Sequence, residues 1–354
     1  MATPTRYYAR KAVPRYTSYP TAPHFRTPFA ADEYRDWLSR LDPAEPISLY
    51  LHVPFCRQMC WYCGCNMKLA ARYGPLETYV ADLRAEIELI AGMLPGRMRI
   101  SHLHWGGGTP TALSPEDLSI LMSDLRARFG FMDNAELAIE SDPRTLTPEM
   151  TKTIGKLGFT RGSFGVQEFD PRVQTAINRV QPPEMVAECV AGLRAAGVAG
   201  INFDLIYGLP YQTTETLLAT IEASGPMRPD RIALFGYAHV PWMAKNQRMI
   251  PEEALPDAAA RADQAERAAQ ALAQAGYETI GLDHFALPED SLSEAARAGR
   301  LRRNFQGYTT DAARCLLGLG ATSIGRTPNG YVQNIAETSA WARAVREGRL
   351  PVAK

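Results

Sequence analysis

The chain has 354 residues, 46% of them hydrophobic, and its 38 basic and 38 acidic side chains leave a formal charge of zero. That is enough apolar sequence for one large domain or a main domain with appendages, and nothing in the charge balance calls for a nucleic-acid partner. No apolar run reaches membrane-spanning length and the N-terminus lacks a signal-peptide pattern, so a cytoplasmic protein without a membrane span is expected.

Residues Met1 to Ala30 carry Arg6, Arg10, Lys11, Arg15 and Arg26 with no acidic residue, interleaved with aromatic side chains and prolines. This predicts an extended arm packed on the main domain, presenting cations to an anionic substrate; a disordered basic tail is the plainer reading. A helix is expected over Asp32 to Leu41, followed by a strand over Ile47 to Val53.

That strand runs into the stretch Tyr50 to Asn66, YLHVPFCRQMCWYCGCN, which holds four of the six cysteines. Cys56, Cys60 and Cys63 form C-x3-C-x2-C, three thiolates from one short loop, as iron–sulphur clusters require. A four-iron cluster held by three thiolates keeps one open iron for a substrate or cofactor. Structural zinc with Cys65 as fourth ligand is the competing reading, although Cys63 and Cys65 are crowded for a tetrahedral site. Unligated or redox thiols are a third, and disulfides are disfavoured without a secretory signal. Cys189 and Cys315 read as packing residues.

Beyond the loop, strand and helix alternate. Helices are expected over Leu76 to Met93, Leu113 to Phe129 with Ser114 as N-cap, Met150 to Leu157, Pro183 to Ala196 and Thr214 to Ala223. The intervening strands are Ile100 to Trp105, Glu136 to Ser141, Thr160 to Gln167, Ile201 to Tyr207 and Arg231 to Tyr237. Gly106, Gly107 and Gly108 follow the second strand and offer either a simple turn or amides exposed to a ligand. No Lys-Ser or Lys-Thr pair follows, which argues against a phosphate cradle. Glu140 and Gln167 close the third and fourth strands. Asp204 lies inside an apolar strand, where a charge needs a ligand or a partner. The segment DPRVQTAINR starts as a helix that places Arg179 about three turns in. Glu252 to Gln274 reads as the longest helix, Tyr277 to Phe285 as a strand and Glu337 to Glu347 as a last helix. The order specifies an α/β protein, either a partial (β/α)6 barrel or a doubly wound sheet.

The cysteine motif, with Gly64-Cys65-Asn66 after it, resembles that of the oxygen-independent coproporphyrinogen III oxidases within the radical S-adenosylmethionine (SAM) family. RYTSYPTAPHF near the N-terminus, SFGVQEFDPRVQTAINRVQ, FDLIYGLP and RRNFQGYTT are similar to the same family, so the resemblance covers essentially the whole chain. It implies a partial (β/α)6 radical SAM barrel with an N-terminal extended arm and a C-terminal appendage. It also implies one 4Fe-4S cluster on Cys56, Cys60 and Cys63, two SAM molecules, and Cys65 as an activity-linked thiol that does not bind the cluster. By the same resemblance Tyr50, Gly107 and Glu140 contact the SAM that reaches the cluster. Tyr62, Gly108, Thr109, Gln167, Arg179, Asp204, Ala238 and Ile324 contact the second.

The implied activity is anaerobic conversion of coproporphyrinogen III to protoporphyrinogen IX. A 5'-deoxyadenosyl radical takes hydrogen from the carbon beta to a propionate carboxylate, and loss of carbon dioxide and one electron leaves a vinyl group, at two propionates in turn. An external donor such as a flavodoxin or ferredoxin system supplies electrons to a monomer, and the final acceptor is not specified by the sequence. Arg10, Lys11, Arg15, Arg26 and Arg303 are candidates to face the propionates. The expected division is residues 1–45 as arm and helix, 46–245 as barrel, and 246–354 as an extension leading toward a C-terminal helical domain that the family usually has and this chain lacks. A haem-binding or haem-delivery protein, or another tetrapyrrole-modifying radical SAM enzyme, is the alternative.

Overall fold

The computed structural model describes Thr21 and residues 24–354; Arg6, Arg10, Lys11 and Arg15 of the expected arm lie outside the described residues. The six expected strands form as β1 (Ile47–Val53), β2 (Arg99–Gly107), β3 (Gly130–Ser141), β4 (Arg161–Gln167), β5 (Gly200–Tyr207) and β6 (Arg231–Gly236). They pair in chain order, each parallel to the next. All seven residues of β1 are buried, as befits a central parallel strand covered on both faces.

The helices between them are α1 (Ala31–Ser39, ahead of β1), α2 (Gly74–Ala91), α3 (Pro115–Arg128), α4 (Pro148–Lys156), α5 (Pro171–Ala176), α6 (Pro183–Ala195) and α7 (Thr214–Ser224). Starts follow local chemistry: Ser114 accepts from Asp117 N, Thr147 from Met150 N and Asp170 from Val173 N, each ahead of a proline in the first turn. The apolar faces pack into one core whose largest fully buried side chains include Trp105, Phe129, Phe164, Phe203 and Trp341.

The chain after β6 adds strands to both edges of this sheet. The segment expected as one strand over Tyr277 to Phe285 is a hairpin, β7 (Glu278–Ile280) and β8 (His284–Ala286), turned at Gly281 with φ +64° and antiparallel to β6. On the opposite side β9 (Leu316–Leu319) lies parallel to β1, and β10 (Ile324–Thr327) and β11 (Gly330–Gln333) follow antiparallel. The sheet therefore has eleven strands in the order β11-β10-β9-β1-β2-β3-β4-β5-β6-β8-β7.

Two helical expectations are corrected. The helix expected from Glu252 begins later: Glu252–Ala254 is a single 3-10 turn, Pro256 interrupts, and α8 (Ala258–Gln274) starts at the Asp257 cap. At 17 residues it is shorter than the 18-residue α2. Helix α5 stops at Ala176, and Asn178 then takes a left-handed φ of 53°, so Arg179 sits on a returning loop instead of three turns along a helix. The chain closes with α9 (Ser291–Arg297) and α10 (Thr338–Arg346), the latter capped by Glu337.

Behind β1, Glu86 of α2 is fully buried. Its carboxylate accepts from Gly320 N and from Asn334 Nδ2, both at 2.6 Å. Tyr79 donates to His52 O at 2.7 Å and accepts from Ala321 N at 3.1 Å. Gly320 has φ +96°, and a side chain there would meet His52 O at 2.5 Å, so the turn after β9 must be glycine to close on β1.

Candidate active site

The cysteine loop leaves β1 at its carboxyl end, the rim where parallel strands present their loops. Phe55–Cys56 makes a short parallel pair with Lys68–Leu69, closing the loop on itself. Two other segments hold it. Asn246 Nδ2 donates to the carbonyls of Cys60, Trp61 and Cys63 at 3.1, 3.1 and 2.8 Å. Gln247 Nε2 donates to Tyr62 O at 2.7 Å, and Asn178 Nδ2 to Met59 O at 2.7 Å. These contacts hold the loop by its backbone carbonyls.

Each of the three motif sulphurs receives a donor. Thr109 Oγ1 donates to Cys56 Sγ at 3.4 Å. Arg144 and Arg179 both donate to Cys60 Sγ at 3.2 Å. The Cys65 backbone N–H donates to Cys63 Sγ at 3.4 Å. Burial pushes the Cys56 thiol up to about 11, with the Thr109 hydroxyl opposing it. Hydrogen bonding from Cys65 draws the Cys63 thiol down to about 7, and the same pairing pushes Cys65 up. Donors aimed at all three sulphurs suit thiolates that must stay charged. Among the described residues no three His, Cys, Asp or Glu side chains converge on a point that could hold a single metal ion.

Asp142 organises the two arginines. It pairs with Arg144 at 2.6 Å and Arg179 at 3.3 Å, and although burial pushes its carboxyl up, Arg179 and Arg144 together hold it below the usual range. Arg179 also donates to Gly165 O from Nη2 at 2.6 Å, so its guanidinium is spent on the protein and on Cys60.

The glycine run is not a display of free amides. Gly107 N donates to Glu140 at 3.2 Å, Gly108 N to Val53 O at 2.9 Å and Thr109 N to Phe55 O at 2.8 Å. The glycines serve close approach: a side chain on Gly108 would meet Phe55 O at 2.7 Å, and one on Gly107, at φ +116°, would meet His52 at 2.7 Å. Glu140 accepts from His104 Nε2 at 3.0 Å, and the His104 ring stacks on Tyr50 at 5.7 Å.

A cavity of about 230 Å³ gathers most of the residues expected from the sequence: Cys56, Cys60, Cys63, Cys65, Tyr62, Gly107, Gly108, Thr109, Glu140, Gln167, Arg179 and Asp204. Gln167, at a bulge with φ 67°, has a buried Oε1 without a hydrogen-bond partner among the described residues, an acceptor available to a ligand. Asp204 is bonded by Asn202 at 3.0 Å, and its carboxyl is pushed up to about 6 by burial and then by the charge of Glu140. Tyr50 and Ala238 stand behind the cavity; Ala238 O accepts from Gln247. Ile324 lines a different cavity. Arg144, Asp142, Asn246 and His104 were not singled out in the sequence. The first two follow the carboxyl end of β3 and could have been suspected there, whereas Asn246 offers no local signal.

Glu140, Ser163, Asp204 and Phe235 also line a second cavity of about 280 Å³ inside the curved sheet. Its charged walls are tied together: Arg161 and Arg231 pair with Asp290 at 3.1 and 2.8 Å, and His102 lies 3.2 Å from Asp311.

The chain matches the Radical SAM superfamily over residues 50–223. It is 52% identical to an oxygen-independent coproporphyrinogen III oxidase of Bradyrhizobium diazoefficiens over 98% of this chain and 77% of the relative. It is 41% identical to one of Helicobacter pylori, over 97% and 76%. The solved coproporphyrinogen III oxidase of Escherichia coli, described as a radical SAM enzyme, superposes with a TM-score of 0.92 at 39% identity, covering 96% of this chain and 77% of that one. With the cysteine loop, the parallel strand order and these relatives in agreement, the chain belongs to the radical SAM family of oxygen-independent coproporphyrinogen III oxidases.

Proposed function

We propose that the protein carries out the anaerobic oxidative decarboxylation of coproporphyrinogen III to protoporphyrinogen IX, with a 4Fe-4S cluster and SAM. The observation that carries this reading to the site is the triad Cys56, Cys60 and Cys63, with a hydrogen-bond donor on every sulphur, opening onto a second cavity inside the barrel. When bound, the cluster and SAM supply a one-electron cleavage and a carbon radical able to take a hydrogen atom from a propionate.

The chain's own residues have separable tasks. Cys56, Cys60 and Cys63 hold the cluster, while Arg144, Arg179 and Thr109 offset thiolate charge. Glu140, oriented by Gly107 N–H and His104, accepts from the amino end of the SAM next to the cluster. Tyr50 stacks on His104 and keeps that ring in place. Gln167 and Asp204 offer acceptors further in. Tyr62, Gly108, Thr109, Arg179, Ala238 and Ile324 complete the set assigned to a second SAM. Cys65 is bonded to Cys63 through both its backbone N–H and its thiol, which keeps the thiol beside the cluster ligands for the reaction. Residues 46–245 carry most of this chemistry, with Asn246, Gln247 and Ile324 added from the segment after them, and a small one-electron carrier of the flavodoxin or ferredoxin type supplies reducing equivalents to the monomer. No described helix is long and apolar enough to cross a membrane.

The test is anaerobic incubation of the cluster-loaded protein with coproporphyrinogen III, SAM and reductant, followed by chromatography of the oxidised porphyrins. Product with two vinyl groups and SAM-derived 5'-deoxyadenosine are expected; haem binding without SAM cleavage would move the protein to a haem-carrier role.

A further inference from the structure

A third cavity, of about 210 Å³, continues the channel beyond the barrel interior and shares Asn304, Gln306, Thr309, Asp311 and Leu316 with it. Its charge is of the opposite sign. The interior cavity is walled by Arg161 and Arg231 against Glu136, Glu140, Asp204 and Asp311. Among the described residues that line it, the third cavity sets Arg302, Arg303 and Arg326 against Asp311. That one carboxylate is already engaged: Ser48 donates to it, Ala313 N donates at 2.9 Å, and His102 lies within 3.2 Å. The arginines come from two elements held in fixed register. Arg302 and Arg303 pair across a short antiparallel ladder with Thr309 and Tyr308, and Arg326 on β10 pairs with Tyr331 on β11. The Arg303 guanidinium lies 4.5 Å from the centroid of the Tyr308 ring, which fixes its plane. Phe305 and Tyr331 line the cavity, and Phe25, from the end of the N-terminal segment, packs on both at 6.1 and 5.8 Å between ring centroids.

We propose that this cavity is a carboxylate subsite in which Arg302, Arg303 and Arg326 grip the propionates that the reaction leaves intact. The proposal rests on coproporphyrinogen III being the substrate. Two of its four propionates survive in the product, so an anchor that binds those two serves both decarboxylations. Guanidinium groups match carboxylates in geometry and charge. The volume is below the roughly 300–1,000 Å³ of a pocket that swallows a whole small molecule, so it suits side-chain ends while the macrocycle reaches toward the interior cavity. Phe25, Phe305 and Tyr331 then meet the apolar edge of the rings.

The carboxylate of SAM is the other possible occupant, and the experiment separates the two. In the anaerobically loaded holoenzyme, Arg302→Gln, Arg303→Gln and Arg326→Gln are compared with the natural protein, the triple variant, Arg303→Lys as the conservative change, and Arg84→Gln as a surface control. KM is measured for coproporphyrinogen III and for SAM, and binding of coproporphyrin III is compared with that of its tetramethyl ester by fluorescence. Each single variant is expected to raise KM for coproporphyrinogen III about tenfold, the order of one lost charge-assisted hydrogen bond, with Arg303→Lys recovering part of the loss and KM for SAM unchanged. The triple variant is expected to lose the preference for the free acid over the ester; should it fail to fold, the single variants decide. A rise in KM for SAM alone, or an acid preference that survives in the triple variant, overturns the proposal. Natural protein that neither converts coproporphyrinogen III nor prefers the acid refutes the substrate reading itself. Conversion with unaltered KM in the variants refutes only the subsite.

Discussion

Two buried polar regions flank β1 and differ in how their hydrogen bonds are used. On the far side, Glu86 is saturated by Gly320 and Asn334, and Tyr79 by His52 O and Ala321, so the region is closed and ties α2 to the turn after β9 and to the end of β11. At the rim, the cysteine loop is held as firmly from behind by Asn246, Gln247 and Asn178. Its sulphurs, Gln167 and Asp204 nevertheless face a cavity. The contrast separates structural polarity, which finishes its bonds within the chain, from functional polarity, which is aimed and left with capacity for a ligand.

The largest way to break that contrast is at the thiolates. Cys60→Ser should remove cluster iron and all decarboxylation while thermal unfolding changes little, because Asn246, Gln247 and Asn178 hold the loop by its backbone carbonyls and a serine hydroxyl can still accept from Arg144 and Arg179. Iron quantitation and visible absorption of the anaerobic protein measure it. Cys65→Ser should keep the iron, since its donor to Cys63 is a backbone N–H, and lower turnover on the order of tenfold, as loss of a group beside a metal site does. Iron loss equal to that of Cys60→Ser would show that the two cysteines do not have distinct roles.

Gly108→Ala probes the rim from the backbone. The added carbon would stand 2.7 Å from Phe55 O, so the loop or β2 must shift, at a cost of about 1–3 kcal/mol with lowered iron occupancy. Unchanged iron and melting temperature would show that the close approach is not needed.

The effect with no consequence for the cluster belongs to the closed region and is read through pH. Burial pushes the Glu86 carboxyl from 4.5 up to about 7, against the donors that favour its charged form. The folded state therefore keeps a proton that the unfolded state has lost, so stability is greater below the unfolded value and falls as pH rises from about 4.5 to 7. The full difference is on the order of 3 kcal/mol. Asp204, raised to about 6, adds a slope of the same sign at the rim. Glu86→Gln should flatten the melting-temperature profile between pH 5 and 8, leaving the Asp204 part, without lowering cluster iron. A profile as steep as that of the natural protein would place the titration elsewhere.

The parallel core was legible because its strands are continuous apolar runs and its helices carry an apolar stripe at helical spacing; Ser114 was readable as a cap because the signal is local. The cysteine triad was legible because its ligands lie within one loop. The edges were not. Leu316 to Leu319 becomes a central neighbour of β1 only because two distant segments meet, and Gly281 splits one apolar run into a hairpin. Arg179 was found by likeness of motif, but its place on a loop, bound to Cys60, Gly165 and Asp142, came from the end of α5. Whether the glycine run was a turn or a display of amides stayed open, because glycine freedom in sequence does not say whether a partner backbone comes close.

The sequence by itself determined the order of the six parallel strands with their helices and the three thiolates, since each depends on periodicity or on residues within one short segment, and its motifs along the whole chain resembled the family. Only the tertiary structure decided which donors meet the sulphurs, how three cavities of different charge join into one channel, and that Arg302, Arg303 and Arg326 share one of them. Those facts depend on distances between residues far apart in the chain; the donors come from the loops after β2, β3 and α5, and the arginine-lined cavity from β9 placed beside β1 with β10 beyond it.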